Sequence, residues 1–195
     1  MMATRTKKIV MATILGTLAI FIWGGFSHTV LLSGVGFDPL PNEEVVLPTL
    51  RDNISKRGLY FFPGRTFANK SEDDDIKWMQ KFKTGPAGIL VYRPIGGDPF
   101  SVSKLSIQFV SNLLSVLIAI LLVWQINMRY WRRVGSVTLL GCLSCAAVSS
   151  IYWNWYEFPT TFFIAQLIDM VVGFFIVGLI VSKLVPYTGS SNPNY

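Results

Sequence analysis

The chain has 195 residues, of which 51% are hydrophobic and only 14% charged, and its mean hydropathy is +0.47. Soluble domains carry about 25% charged residues, so the composition excludes an ordinary soluble domain, a disordered chain, a collagen-like chain and a disulfide scaffold, and it points to a membrane. The net charge of +6 is no nucleic-acid footprint, because most basic residues share the segment 33–104 with nearly all the acids, and the surplus flanks apolar runs.

A helix rising about 1.5 Å per residue needs about 20 apolar residues to cross a hydrocarbon core about 30 Å thick. Residues 1–32 supply the first such run, from about Ile9 to Leu32, behind Arg5, Lys7 and Lys8. The run exceeds the h-region of a secretory signal, about 7–15 residues, and shows no clear small-x-small cleavage pattern. An uncleaved anchor is therefore expected.

Residues 33–104 are too long to be a plain connection, and a small folded layer is expected. Asn42-Glu43-Glu44 starts a short helix through Leu50, which Pro48 limits to a turn or a kinked piece. Gly58–Pro63 and Gly88–Pro94 read as two short strands that pair. A two-stranded sheet is marginal alone, so it should rest on the outer end of the helices or on a partner. Ser71 opens a helix as a cap, with Asp74 at the capping-box position and acids at the positive end of the dipole. Lys81 and Lys83 sit at its other end, and Gly85-Pro86 stops it. Ile76, Met79 and Phe82 give it an apolar face.

Residues 105–187 hold three more spans: about Leu105 to Asn127, Val134 to Tyr152, and Thr161 to Val185. The tail 188–195 is polar and expected to fray. With four spans, Arg5–Lys8, Arg129–Arg133 and Lys183 fall on one side. The positive-inside rule makes that side cytoplasmic. Both termini are then inside, and loop 33–104 and turn 153–160 are outside. The expected fold is an all-α membrane protein: a four-helix transmembrane bundle with a small α+β extracytoplasmic layer between the first two spans.

Three features carry candidate chemistry. The first is a polar band at one depth. His28 lies about one turn inside the first span. Gln108 and Asn112 share a face of the second. Gln166 and Asp169 lie on the fourth, Asp169 about 12 Å from its outer end. Ser149 and Ser150 add hydroxyls on the third. Ionisable groups inside a membrane are costly and point to a site. The alternative is interhelical glue, worth about 0.6 kcal/mol per hydrogen bond.

The second feature is Cys142-Leu143-Ser144-Cys145. In a regular helix these Cβ atoms are about 5–6 Å apart, too far for a disulfide at about 3.8 Å. Two thiolates alone make no zinc site. A packing role is expected, with Gly141, Cys145 and Ser149 as one small-residue row and Cys142, Ala146 and Ser150 as the next. The third feature is the turn Tyr152–Pro159. Trp153, Trp155, Tyr156 and Glu157 are candidates for docking a partner or caging a cation; the alternative is an interfacial aromatic belt.

No Walker loop, dinucleotide fingerprint, nucleophile elbow or zinc-protease motif is present. A single histidine excludes a bis-histidine haem within one chain, and Asp73–Asp75 lack the spacing of a calcium loop. No cofactor, metal or nucleic acid is expected. The partners expected are the lipid bilayer and other membrane subunits.

The segments Trp23-Gly24-Gly25-Phe26-Ser27-His28, Leu40-Pro41-Asn42-Glu43-Glu44, Gly58–Pro63, Gly85-Pro86-Ala87-Gly88 and Tyr152-Trp153-Asn154-Trp155 together resemble a family of bacterial four-helix integral membrane proteins with no established activity. The resemblance spans most of the chain. It implies the topology and a bacterial inner membrane, and it brings no catalytic residue. The expected function is that of a non-catalytic accessory or assembly subunit of a membrane complex. The alternative is a small binding or transport protein using the polar band for a proton, a quinone or a small solute.

Overall fold

The computed structural model describes residues 2–65, 71–125 and 127–185. The tail 188–195 lies outside them. Among the described residues, the chain is mostly helical, with four helices long and apolar enough to cross a membrane and one two-stranded sheet. It divides into two compact units: residues 1–37, 100–154 and 158–195, and residues 38–99 with 155–157.

In the first unit, α1 (Met2–Phe26) continues into a widened turn, Ser27–Leu31, where Leu32 N–H donates to the Ser27 carbonyl five residues back. The second long helix is α4 (Val102–Gln125). The third is α5 (Tyr130–Ser144), a second widened turn at Cys145–Ser149, and α6 (Ser150–Trp155). The fourth is α7 (Thr160–Leu184). α7 packs against α5 and α1, and α1 packs against α4.

The reason lies in the spacing of small and β-branched residues on α7. Ala165, Asp169, Gly173, Val177 and Val181 recur at every fourth position and are all buried. Residues four apart share a helix face, and small side chains there let neighbouring backbones come close. A Cβ on Gly178 would stand 3.0 Å from the Val134 carbonyl oxygen, and one on Gly141 only 2.5 Å from that of Met170. Val116, Ala119, Ile120, Val123 and Val137 complete the core.

Arg133, expected only as a topology signal, is buried. Its guanidinium donates to the carbonyls of Ser182 (3.0 Å) and Val185 (2.6 Å). Those oxygens lie at the end of α7, where the helix has no further N–H groups to offer and carries its negative pole. Tyr130 adds a hydroxyl bond to the Leu179 carbonyl.

Around the cysteines, the expected rows separate. Gly141 and Cys145 are buried, but Ala146 is exposed. The widened turn beginning at Cys145 adds a residue to the turn and rotates the residues beyond it away from a regular helical row. Both thiols are free, and Leu143 is 63% exposed.

In the second unit, β1 (Gly58–Phe62) and β2 (Gly88–Tyr92) pair antiparallel, with Tyr60 opposite Leu90. α3 (Glu72–Thr84) carries the expected capping box: the Asp74 N–H donates to Ser71 Oγ, and the Ser71 N–H donates to the Asp74 carboxylate. The Ser71 hydroxyl and N–H on that carboxylate hold its pKa below the ordinary value. The packed face of α3 differs from expectation. Trp78 and Phe82, four apart, are the side chains that meet the sheet strand and its end: Phe82 stacks on Phe61 of β1 at 6.1 Å, and the Trp78 indole donates to the Pro63 carbonyl. Ile76 and Met79 stay exposed. The larger rings take the sheet because they bury more area per side chain.

α2 (Glu43–Asn53) runs three residues past the expected stop at Leu50, with Pro48 inside it. Proline removes one backbone donor. Thr49 donates to the Val45 carbonyl and Asn53 to the Thr49 carbonyl, so side-chain bonds tie the helix together on both sides of that gap.

The packing makes a graded expectation. Gly141→Leu should lower stability by about 1–3 kcal/mol or more, because its Cβ meets rigid backbone. Ala146→Leu and Leu143→Ala should stay within about 0.5 kcal/mol. Thermal unfolding in detergent ranks the three, and equal midpoints would show that Gly141 meets no tight neighbour.

Candidate functional site

The structure brings His28, Gln108, Asn112, Gln166 and Asp169 to the wall of one cleft of about 630 Å³ in the first unit. α1, α4 and α7 supply the wall. The third long helix supplies none of it, so Ser149 and Ser150 stand apart from the band. Small-molecule clefts fall at about 300–1,000 Å³ and are apolar with a few convergent polar groups. Here the apolar part is Ile20, Phe21, Trp23, Leu105, Met170 and Phe174.

Asp169 is the centre of the polar part. It occupies the buried stripe of α7, and its side chain is 5% exposed, against 54% for His28. Oδ2 stands 3.5 Å from His28 Nε2. Oδ1 is buried with no hydrogen-bond partner. The backbone of the same residue is engaged: the Trp23 indole N–H donates to the Asp169 carbonyl at 3.1 Å. Gly173 makes that approach possible, since a Cβ there would stand 3.2 Å from Trp23 Cδ1.

His28 sits in the widened turn of α1. Such turns recur at functional sites because the extra residue redirects side chains without ending the helix. Gln108 donates to Asn112 Oδ1 at 3.0 Å, so these two partner each other across one turn of α4. Gln166 lines the same cleft one turn before Asp169. The glycine pair keeps the α1 side open: a Cβ on Gly24 or Gly25 would meet nothing within 4 Å.

Residues that the sequence did not mark as site candidates also line the cleft, among them Phe21, Trp23, Ser111 and Phe174. The signal available for Trp23 was its place beside Gly24-Gly25, a bulky ring next to two residues that leave a void.

The aromatic stretch 152–159 is less open than expected. α6 runs through Trp155, leaving only Tyr156–Pro159 as the turn. Trp153 donates to Thr160 Oγ1 and stacks on Phe163 at 5.2 Å, and Tyr152 packs against Phe158 at 5.5 Å. Trp155 is 75% exposed, Tyr156 is exposed, and Glu157 adopts a left-handed conformation at φ 55°. Among the described residues, no three His, Cys, Asp or Glu side chains gather where a metal ion could be held.

No family model matches the chain, and neither any curated protein nor any solved structure matches it.

The His28–Asp169 contact has a measurable energy. Asp169→Asn and His28→Ala should each lower stability, and the double change should cost less than the sum by about 0.5–1 kcal/mol, at the low end for touching groups because His28 is half exposed. A double-mutant cycle on detergent stability reads this term. Strict additivity would mean the two side chains do not interact.

Proposed function

We propose that this is a non-catalytic membrane protein that binds a small molecule in the α1–α4–α7 cleft. The observation that carries the reading is the buried Asp169 carboxylate, which lines the cleft, with one oxygen 3.5 Å from His28 and the other buried and unpartnered. A buried ionisable group held only for stability is costly unless fully paired, and in a membrane it marks a functional position.

The same reading includes a membrane arrangement. The four long helices form a transmembrane bundle in a bacterial inner membrane, both termini are cytoplasmic, and residues 33–104 lie outside as an extracytoplasmic layer. The flanking arginines and lysines support this orientation. The cleft, lined by His28 and Gln108 near the outer ends of their spans, then opens to the outside.

One labelling experiment tests both parts, in chains with Cys142 and Cys145 replaced by alanine. Asp75→Cys and Ser111→Cys should both react with a membrane-impermeant maleimide in intact cells. Adding Gly24→Leu should slow the Ser111→Cys variant by about tenfold and leave Asp75→Cys unchanged, because a leucine there fills open space. Labelling of Asp75→Cys only after lysis would reverse the orientation. An inert Ser111→Cys would remove the open cleft.

A second reading is an accessory or assembly subunit of a larger membrane complex. It is favoured by the exposed Trp155 and by the Ile76–Met79 face of α3, which α3 does not use against its own sheet. Exposed aromatics are common interface anchors. Purification from native membranes in mild detergent should then yield a stoichiometric partner that a Trp155→Ala, Met79→Ser chain loses. A wild-type chain that runs alone would count against this reading.

A further inference from the structure

We propose that the occupant of the cleft is an organic ammonium, a molecule with one protonated amine on a ring-bearing or otherwise apolar body. The proposal rests on the cleft-binding reading above and adds the chemical class. Its starting point is the unbalanced acceptor. Asp169 lines the cleft; its Oδ1 is buried and has no hydrogen-bond partner, while Oδ2 has only the His28 imidazole at 3.5 Å, a separation beyond a strong charge-assisted bond.

Several donors that line the cleft are turned elsewhere: the Gln108 amide is given to Asn112, the Ser115 hydroxyl to the Ser111 carbonyl, and the Thr29 hydroxyl to the Gly25 carbonyl. Among the described residues, no donor is brought to Asp169 Oδ1. A cationic donor fits better than a neutral one, because a charged hydrogen bond is about twice as strong and a buried carboxylate gains most from a counter-charge.

The apolar walls agree with that choice. The aromatic side chains of Phe21, Trp23 and Phe174 line the cleft beside the carboxylate. Aromatic faces attract ammonium groups, and most strongly where water is excluded. An anionic ligand would meet the Asp169 carboxylate with like charge, and a neutral one would bring it no further counter-charge.

The test uses the full chain in detergent, carrying Ser111→Cys with Cys142 and Cys145 replaced by alanine. Three probes of one shape are compared for slowing maleimide alkylation at position 111: phenethylammonium, 2-phenylethanol and phenylacetate. Phenethylammonium should protect at concentrations about tenfold or more below those of the alcohol, a difference of about 1.4 kcal/mol, and phenylacetate should not protect. Asp169→Asn should remove the ammonium preference, and Asp169→Glu should keep it. Should either variant fail to fold, the three-probe comparison on the wild-type aspartate decides alone. Equal or better protection by the alcohol or the carboxylate overturns the ammonium class and leaves the cleft reading standing. No protection by any probe overturns the ammonium proposal, and the independent Gly24→Leu labelling result then says whether the cleft reading falls with it.

Discussion

The close approach of α7 to its neighbours depends on one constraint: a buried face that repeats every fourth residue and is built from small side chains. Ala165, Gly173, Val177 and Val181 satisfy it without polar groups. Asp169 breaks the pattern at its middle. In a close-packed stripe a carboxylate has no room to swing toward water, so the surrounding helices must answer it in place. They do so unequally. α1 supplies Trp23 to the backbone carbonyl and His28 to one carboxylate oxygen, and nothing reaches the other. The packing that orders the helices thus also fixes an unsatisfied acceptor at the wall of a cleft.

The glycines sort into two kinds around this centre. Gly141, Gly173 and Gly178 are filled by neighbours, and their lack of a side chain is used for approach. Gly24 and Gly25 are not filled. Had they served packing, another side chain or backbone would occupy the space beside their Cα atoms. The open side of α1 lies at the cleft, next to the widened turn that carries His28. Small residues here create volume, whereas on α7 they remove it.

The spans were legible because length and hydropathy decide them almost alone. The five cleft residues were legible as a group because helical rise converts sequence distance into depth, and polar groups in apolar runs stand out. What stayed hidden depends on which surface meets which. Arg133 reads as a membrane-flanking cation, since only the arrival of the α7 terminus, about 50 residues later in the chain, makes it a cap. Ala146 belongs to a small-residue row in a regular helix, and the widened turn after Ser144 takes it out of that row. On α3, Ile76 and Met79 match a helical period as well as Trp78 and Phe82 do, and the sheet selects the rings. The third helix was expected to join the polar band because its serines lie at the right depth. Depth fixes height along a helix, but the facing direction comes from tertiary packing.

The two roles for the polar band predict different states of the same carboxylate. Interhelical glue works by saturation: each donor finds an acceptor on the next helix, and the free energy comes from closing those bonds. Gln108 and Asn112 follow that logic, although they close their bond within α4 and so fasten no second helix. Asp169 does not follow it. Among the described residues, its side chain's polar contact on another helix is a half-exposed histidine at 3.5 Å, and its second oxygen is buried without a partner. A purely structural position in this stripe could be filled by an apolar side chain of similar volume, with no charge to bury. What an apolar residue could not do is place a carboxyl group at the wall of the cleft. On the proposed reading, the carboxylate is explained by what enters the cleft better than by the helices that surround it.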